Sequence, residues 1–171
     1  YLFLDPHQIV ETPKSLRGTF DGTDLVLIFD TNDPELLLDL WPEFEKSSKR
    51  ISFVDHHPTL KRFPLDENKN LINVNASSTG EIVFDLIKSL QIPLDSEIAI
   101  PLYTSIIFDT NYFRYIRGSP TPHLIAAELL RFDLKPDKIH RALFGNHSPV
   151  KLKYLAHILG NIDYELDGRL A

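Results

Sequence analysis
Apolar positions along the chain fall into two kinds of run. "LVLIF" (25–29) is an unbroken apolar stretch bounded by Asp24 and Asp30. Its length and β-branched content predict a strand buried on both faces, as in a parallel sheet. "ISFV" (51–54) and "LINV" (71–74) read as shorter strands of the same kind. Between the first two, Leu36, Leu37, Leu40 and Phe44 predict a short helix inside "PELLLDLWPEFEKS". Pro42 should break or restart it, because proline fixes φ and has no N–H.

The spacing then turns helical. Ser78 and Glu81 make a capping-box pattern that opens "TGEIVFDLIKSL", with Ile82, Val83, Leu86, Ile87 and Leu90 on one face. In "SEIAIPLYTSIIFD" (96–109), Ile98, Leu102 and Ile106 recur every four residues. That predicts a helix, kinked or starting late, since Pro101 in its interior costs about 3 kcal/mol. "TPHLIAAELLRF" should start with Thr121 as N-cap and Pro122 at the first helical position. "KPDKIHRALFG" and "SPVKLKYLAHILG" read as two more helices, each closed by a glycine. "NIDYELDGRLA" reads as a strand, an Asp-Gly turn and the start of another strand, and "KRFPLDENKN" (61–70) as a polar loop. Strands alternating with helices predict an α/β fold: a doubly wound, mostly parallel sheet with helices on both faces and a helical C-terminal third. Trp41 and the phenylalanines are expected mainly in the core.

Composition narrows the function classes. The 171 residues suffice for a single domain, 1–171, with a sizeable core. A formal net charge of −6 argues against generic binding to long duplex nucleic acid, but allows a short phosphorylated substrate held by a metal. The absence of cysteine excludes disulfides, thiolate catalysis and zinc–thiolate sites. No apolar run approaches a membrane span and no signal-peptide pattern opens the chain, so a cytoplasmic protein without a membrane partner is expected. A start at Tyr1, an end at "DGRLA" and the lack of any Met lead us to expect a piece of a larger protein.

The chemistry concentrates at "FVDHHP" (53–58). Two strands each run into an aspartate, Asp30 and Asp55. In open parallel sheets ligands bind beyond the carboxyl ends of the strands. Asp30, Asp33, Asp55, His56 and His57 are therefore expected on one edge, with Pro58 holding the histidines in a turn. Asp109 closes a helix, where the partial negative charge of the helix end disfavours a carboxylate unless a cation is present. Carboxylates with imidazole and no thiolate suit Mn, Mg or a similar metal. Taken singly, Asp30 also fits a helix N-cap, and Ser78 fits a cap. His7, His140, His147 and His157 are expected to be structural or solvent-facing.

"DTND", "VDHHP", "NASSTGEIV", "LYTSIIFDTNYFRY" and "SPTPHLIAAELL" together resemble the DHH phosphoesterase family, from about residue 24 to the end. The wording is most similar to the nanoRNase and pAp-phosphatase subgroup, less to the RecJ-type exonucleases. The resemblance implies an α/β phosphoesterase with two Mn ions, Mg being the other candidate. It implies that Asp30 bridges the ions and that His56 and Asp109 ligate one of them. His57 would face the scissile phosphate, and Asp55 would fix an imidazole tautomer. Ser78 and Thr79 are placed near the site. Arg114, Arg117 and His123 are candidates for contacts to phosphate or base. The implied reaction is in-line attack on phosphorus by a metal-activated water.

The chain also departs from the family pattern. No His-x-Asp-x-Asp motif precedes Asp30; "DPHQ" (5–8) has the letters in the wrong order. Asn111 and Tyr112 stand where the family often has a glycine and a variable residue. A C-terminal substrate-binding domain is expected beyond residue 171, and the chain alone is expected to be inactive. The substrates in view are short oligoribonucleotides, pAp and linear or cyclic dinucleotides. Manganese pyrophosphatase activity, or an inert module for protein interaction or metal sensing, are the alternatives. A homodimer is one expected assembly.

Overall fold
The computed structural model describes residues 2–10, 22–46, 50–59, 69–145, 147–163 and 167. Three strands, β1 (Leu25–Phe29), β2 (Arg50–Asp55) and β3 (Leu71–Ile72), form a parallel sheet in the order β1-β2-β3. Phe29 is level with Val54, and Asp55 with Ile72. The amide of Asp30 donates to Val54 O at 3.1 Å, and that of Asn73 to Asp55 O at 3.0 Å. Asp30 and Asp55 therefore leave neighbouring strands side by side at one edge. β3 is shorter than "LINV" suggests, because the chain turns at Val74 and Asn75 towards the next helix.

Consecutive residues of β2 feed two cores, as the period of two in a strand requires. Phe53 packs with Ile28 and Phe44, joined by Leu37, Leu40 and Trp41. Val54 packs with Ala76 and Ile82 of the other layer. Helices thus cover both faces of the sheet at its centre. β1 differs from its sequence reading: Ile28 is buried, but Leu25, Leu27 and Phe29 are 42–47% exposed. Among the described residues β1 is an edge strand, covered on one face only.

The segment after β1 is a 3-10 helix, Pro34–Leu40, followed by α1 (Trp41–Lys46). The interruption falls at Leu38, with φ of +47°, and Pro42 sits in the first turn of α1, where its missing N–H costs no helical bond. Asp33, not Asp30, is the N-cap, its Oδ1 accepting the Glu35 amide at 3.0 Å.

α2 (Thr79–Ser89) opens with the capping box: Ser78 Oγ accepts from Glu81 N, and Glu81 Oε1 accepts from Ser78 N. α3 (Ser96–Asp109) continues unbroken past Pro101 from an Asp95 cap, so it does not start late. α4 (Thr121–Leu129) begins one residue earlier than expected. Pro120 is its N-cap and Thr121 its first residue, because the Thr121 hydroxyl pairs with Ser119 Oγ instead of capping.

Contacts divide the chain into two compact units, Leu2–Leu134 and a second from Lys135 onward. The second contains α5 (Pro136–Phe144) and α6 (Pro149–Leu159), closed by Gly145 and Gly160. The strand–turn–strand reading of 161–171 and the loop reading of 61–70 lie largely outside the described residues. Among the described residues, no helix is long and apolar enough to cross a membrane.

Candidate metal centre
β1 delivers Asp30 in the left-handed region, φ +63°. Aspartate tolerates that region better than most residues, yet it still has to be held there. The Thr79 hydroxyl, at the first position of α2, donates to Asp30 Oδ1 at 2.8 Å. The helix start thereby orients the carboxylate that ends β1.

β2 delivers Asp55, fully buried. Its Oδ1 accepts from the His56 amide and from His57 Nδ1, both at 2.8 Å. Its Oδ2 accepts from Asn32 Nδ2 at 2.8 Å. Three donors offset the cost of burying the carboxylate. Asn32 Nδ2 lies also 2.9 Å from His57 O, so it ties the loop after β1 to the turn after β2. Nothing in the sequence singled out Asn32; its position in "DTND" beside a strand end was the available signal.

The two histidines are used differently. His57 is bound through Nδ1 to Asp55, and its side chain is 53% exposed. His56 is buried and turns its Nδ1 to Ala76 O at 3.3 Å. A carbonyl only accepts, so Nδ1 carries the proton and Nε2 a lone pair. That Nε2 lies 3.8 Å from Asp30 Oδ1 and 3.9 Å from Asp109 Oδ2. Burial, then the neighbouring His57, lowers the pKa of His56 and favours the neutral ring. Burial, then Asp30, pushes the Asp109 carboxyl up to about 6, with His57 opposing. Three electron-pair donors therefore face one another, and a cation among them would relieve the repulsion.

Donor atoms of Asp30, Asp55, His56 and His57 also lie within 4.8 Å of one another. Asp55, however, has both oxygens engaged, and His57 has one nitrogen engaged. Asp30, His56 and Asp109 form an overlapping set, in which the unprotonated His56 Nε2 faces both carboxylates. Two metal–ligand bonds of about 2.1 Å span up to about 4.2 Å, which accommodates the observed separations. The residues thus fit a divalent cation.

Other expected site residues lie elsewhere or play other parts. Ser78 is fully buried with its hydroxyl in the helix cap, so it faces the helix and not a ligand. Arg114 stacks near Tyr115, 6.0 Å from guanidinium to ring. His123, exposed on α4, packs against Phe113 with ring centroids 4.6 Å apart. Arg117 instead reaches the site, donating to His56 O at 3.0 Å. Asp33 caps the helix after β1 and, with Asp30, Asn32, Leu36 and His57, lines an open cleft of about 220 Å³. His7, His140, His147 and His157 are exposed.

No family model matches the chain. It is 29% identical over 153 residues to the uncharacterized protein MG371 of Mycoplasma genitalium, covering 90% of this chain and 45% of the relative. It is 30% identical over 117 residues to the bifunctional oligoribonuclease and PAP phosphatase NrnA of Thermus thermophilus, covering 68% of this chain and 35% of that protein. Among solved structures, an exopolyphosphatase-related protein from Bacteroides fragilis superposes with a TM-score of 0.75 at 26% identity, over 83% of this chain and 42% of that one. The chain spans less than half the length of the curated relatives it matches. These similarities support the resemblance to the DHH superfamily and a phosphoesterase-type fold.

Proposed function
We propose that this chain carries a divalent-cation centre of a phosphoesterase that hydrolyses short oligoribonucleotides, pAp or dinucleotides. Mn is the expected ion, with Mg the alternative and two ions expected in the whole protein. The observation that carries the reading is the His56 Nε2 lone pair facing the carboxylates of Asp30 and Asp109.

Asp30, His56 and Asp109 would hold the ion. A cation held there would supply hydroxide at neutral pH and counter-charge for phosphoryl oxygens. The Thr79 hydroxyl orients the Asp30 carboxylate, and Ala76 keeps the Nε2 of His56 deprotonated. Asp55 holds His57 by Nδ1, leaving Nε2 at the open cleft. In the protonated ring, Nε2–H can be given to the leaving oxygen while Asp55 stabilises the imidazolium.

Calorimetric titration with Mn tests the centre. Wild type should bind, and Asp30→Ala and His56→Ala should not. Equal binding by all three would overturn the assignment. Hydrolysis of a 5′-phosphorylated dinucleotide and of pAp by the protein containing this chain tests the substrate class. A protein that binds Mn but cleaves neither is better described as an inert metal-binding module.

A further inference from the structure
The loop after α3 delivers a guanidinium to the cation centre. Arg117 has a left-handed backbone, φ +47°, and precedes Gly118 at φ +71°. Its Nη1 donates to the carbonyl of His56 at 3.0 Å and also to the carbonyl of Val74. His56 follows the last residue of β2, and Val74 lies two residues before Ala76, whose carbonyl orients the His56 ring.

Three segments therefore meet at one side chain. The end of β2 carries His56, the turn after β3 carries the Ala76 acceptor, and the loop itself leaves α3 directly after Asp109. The β2–β3 ladder is short, and its last link is the Asn73 amide to Asp55 O at 3.0 Å. Beyond that link, Arg117 joins the two segments. A guanidinium donates more than one hydrogen bond, so one side chain ties both segments.

We infer that Arg117 is a positioning residue for the cation centre. It cannot ligate a cation. It fixes the spacing between the His56 backbone and the Ala76 carbonyl, and so aims His56 Nε2 at Asp30 and Asp109. The inference rests on the cation reading above, and its test separates the two.

Wild type, Arg117→Met, Arg117→Lys and Asp30→Asn are compared for Co²⁺ binding by visible absorption and for Mn²⁺ binding by calorimetry, where circular dichroism shows each folded. Arg117→Met should weaken Co²⁺ binding by about ten- to a hundred-fold, as loss of an orienting partner does, and should alter the ligand-field bands. Arg117→Lys, which keeps a cationic donor, should restore most of the affinity. Arg117→Gln, too short to reach both, replaces the Met variant should that fail to fold. If the Met or Gln variant melts lower yet binds Co²⁺ with wild-type affinity and spectrum, the role is structural and the inference falls. If Asp30→Asn abolishes binding while the Arg117 variants do not, the inference alone fails. If Asp30→Asn also binds normally, or wild type binds no ion, the cation reading fails with it.

Discussion
The imidazole of His57 is tied through Nδ1 to the buried carboxylate of Asp55 at 2.8 Å. The adjacent His56 is tied to a carbonyl instead, and its free nitrogen faces two carboxylates. Under the proposed function, the first ring would serve proton transfer at the cleft and the second would hold an ion. His57→Ala should keep its metal content and lower turnover of a 5′-phosphorylated dinucleotide by about 10²–10⁴-fold, the loss typical of a missing general acid. His56→Ala should lose metal and activity together. Mn stoichiometry measured beside hydrolysis decides it, and the opposite pattern would reverse the two roles.

Asp109 gives the metal-free protein a pH-dependent stability. Its carboxyl rises from an ordinary 3.8 to about 6, through burial first and Asp30 second. The folded state thus binds more protons than the unfolded state between those values. The contribution is full below about pH 4 and is lost as the pH rises through about 6. Thermal melting in chelator should show wild type losing stability over that range relative to Asp109→Asn. Added Mn should reverse the trend near neutrality, since an ion requires the carboxylate ionised. Parallel pH profiles for the two proteins would refute the raised Asp109 pKa.

Much of the frame was legible because it depends on local patterns. "LVLIFD" and "ISFVD" each announce a strand with an aspartate at its end, and Ser78 with Glu81 announces a helix start. What was not legible depends on distant partners or on coverage. The exposed row Leu25, Leu27 and Phe29 follows from β1 lying at a described sheet edge, which an apolar run cannot show. Leu38 takes a positive φ that no residue type there signals. Thr121 loses the cap to Pro120 because Ser119 competes for its hydroxyl, a boundary shift of one residue. Arg117 and Arg114 looked alike in sequence, and only the contact to His56, 61 residues away, separates them.

Gly80 should resist substitution. A Cβ added there would lie 2.8 Å from Ser105 Oγ and 3.0 Å from Ser105 Cβ, where α2 crosses α3. Alanine is the better helix former, so the glycine is explained by this close approach and not by propensity. Gly80→Ala should cost about 1–3 kcal/mol in chemical denaturation, as overpacking does. Ser105→Gly in the same chain should recover part of that loss, giving a non-additive double-mutant cycle. Additive effects would mean that the contact is relaxed at no cost.

Asn32 should prove as sensitive as the histidine whose turn it holds. It is 3% exposed, and its Nδ2 lies 2.8 Å from Asp55 Oδ2 and 2.9 Å from His57 O. Asn32→Ala leaves both acceptors without this donor, which should cost about 1–3 kcal/mol and loosen His57. Asn32→Asp is the sharper test, because it keeps the shape and turns the donor into a second buried carboxylate against Asp55. Like charges so close cannot both ionise cheaply, so one carboxyl should stay protonated well above its ordinary range. The Asp variant should therefore melt lower than the Ala variant at neutral pH and regain stability on acidification, when its proton bridges the two side chains. The Ala variant should show no such recovery. Melting of Asn32→Asp at the wild-type temperature near pH 7 would mean that Asn32 does not hold Asp55 as described.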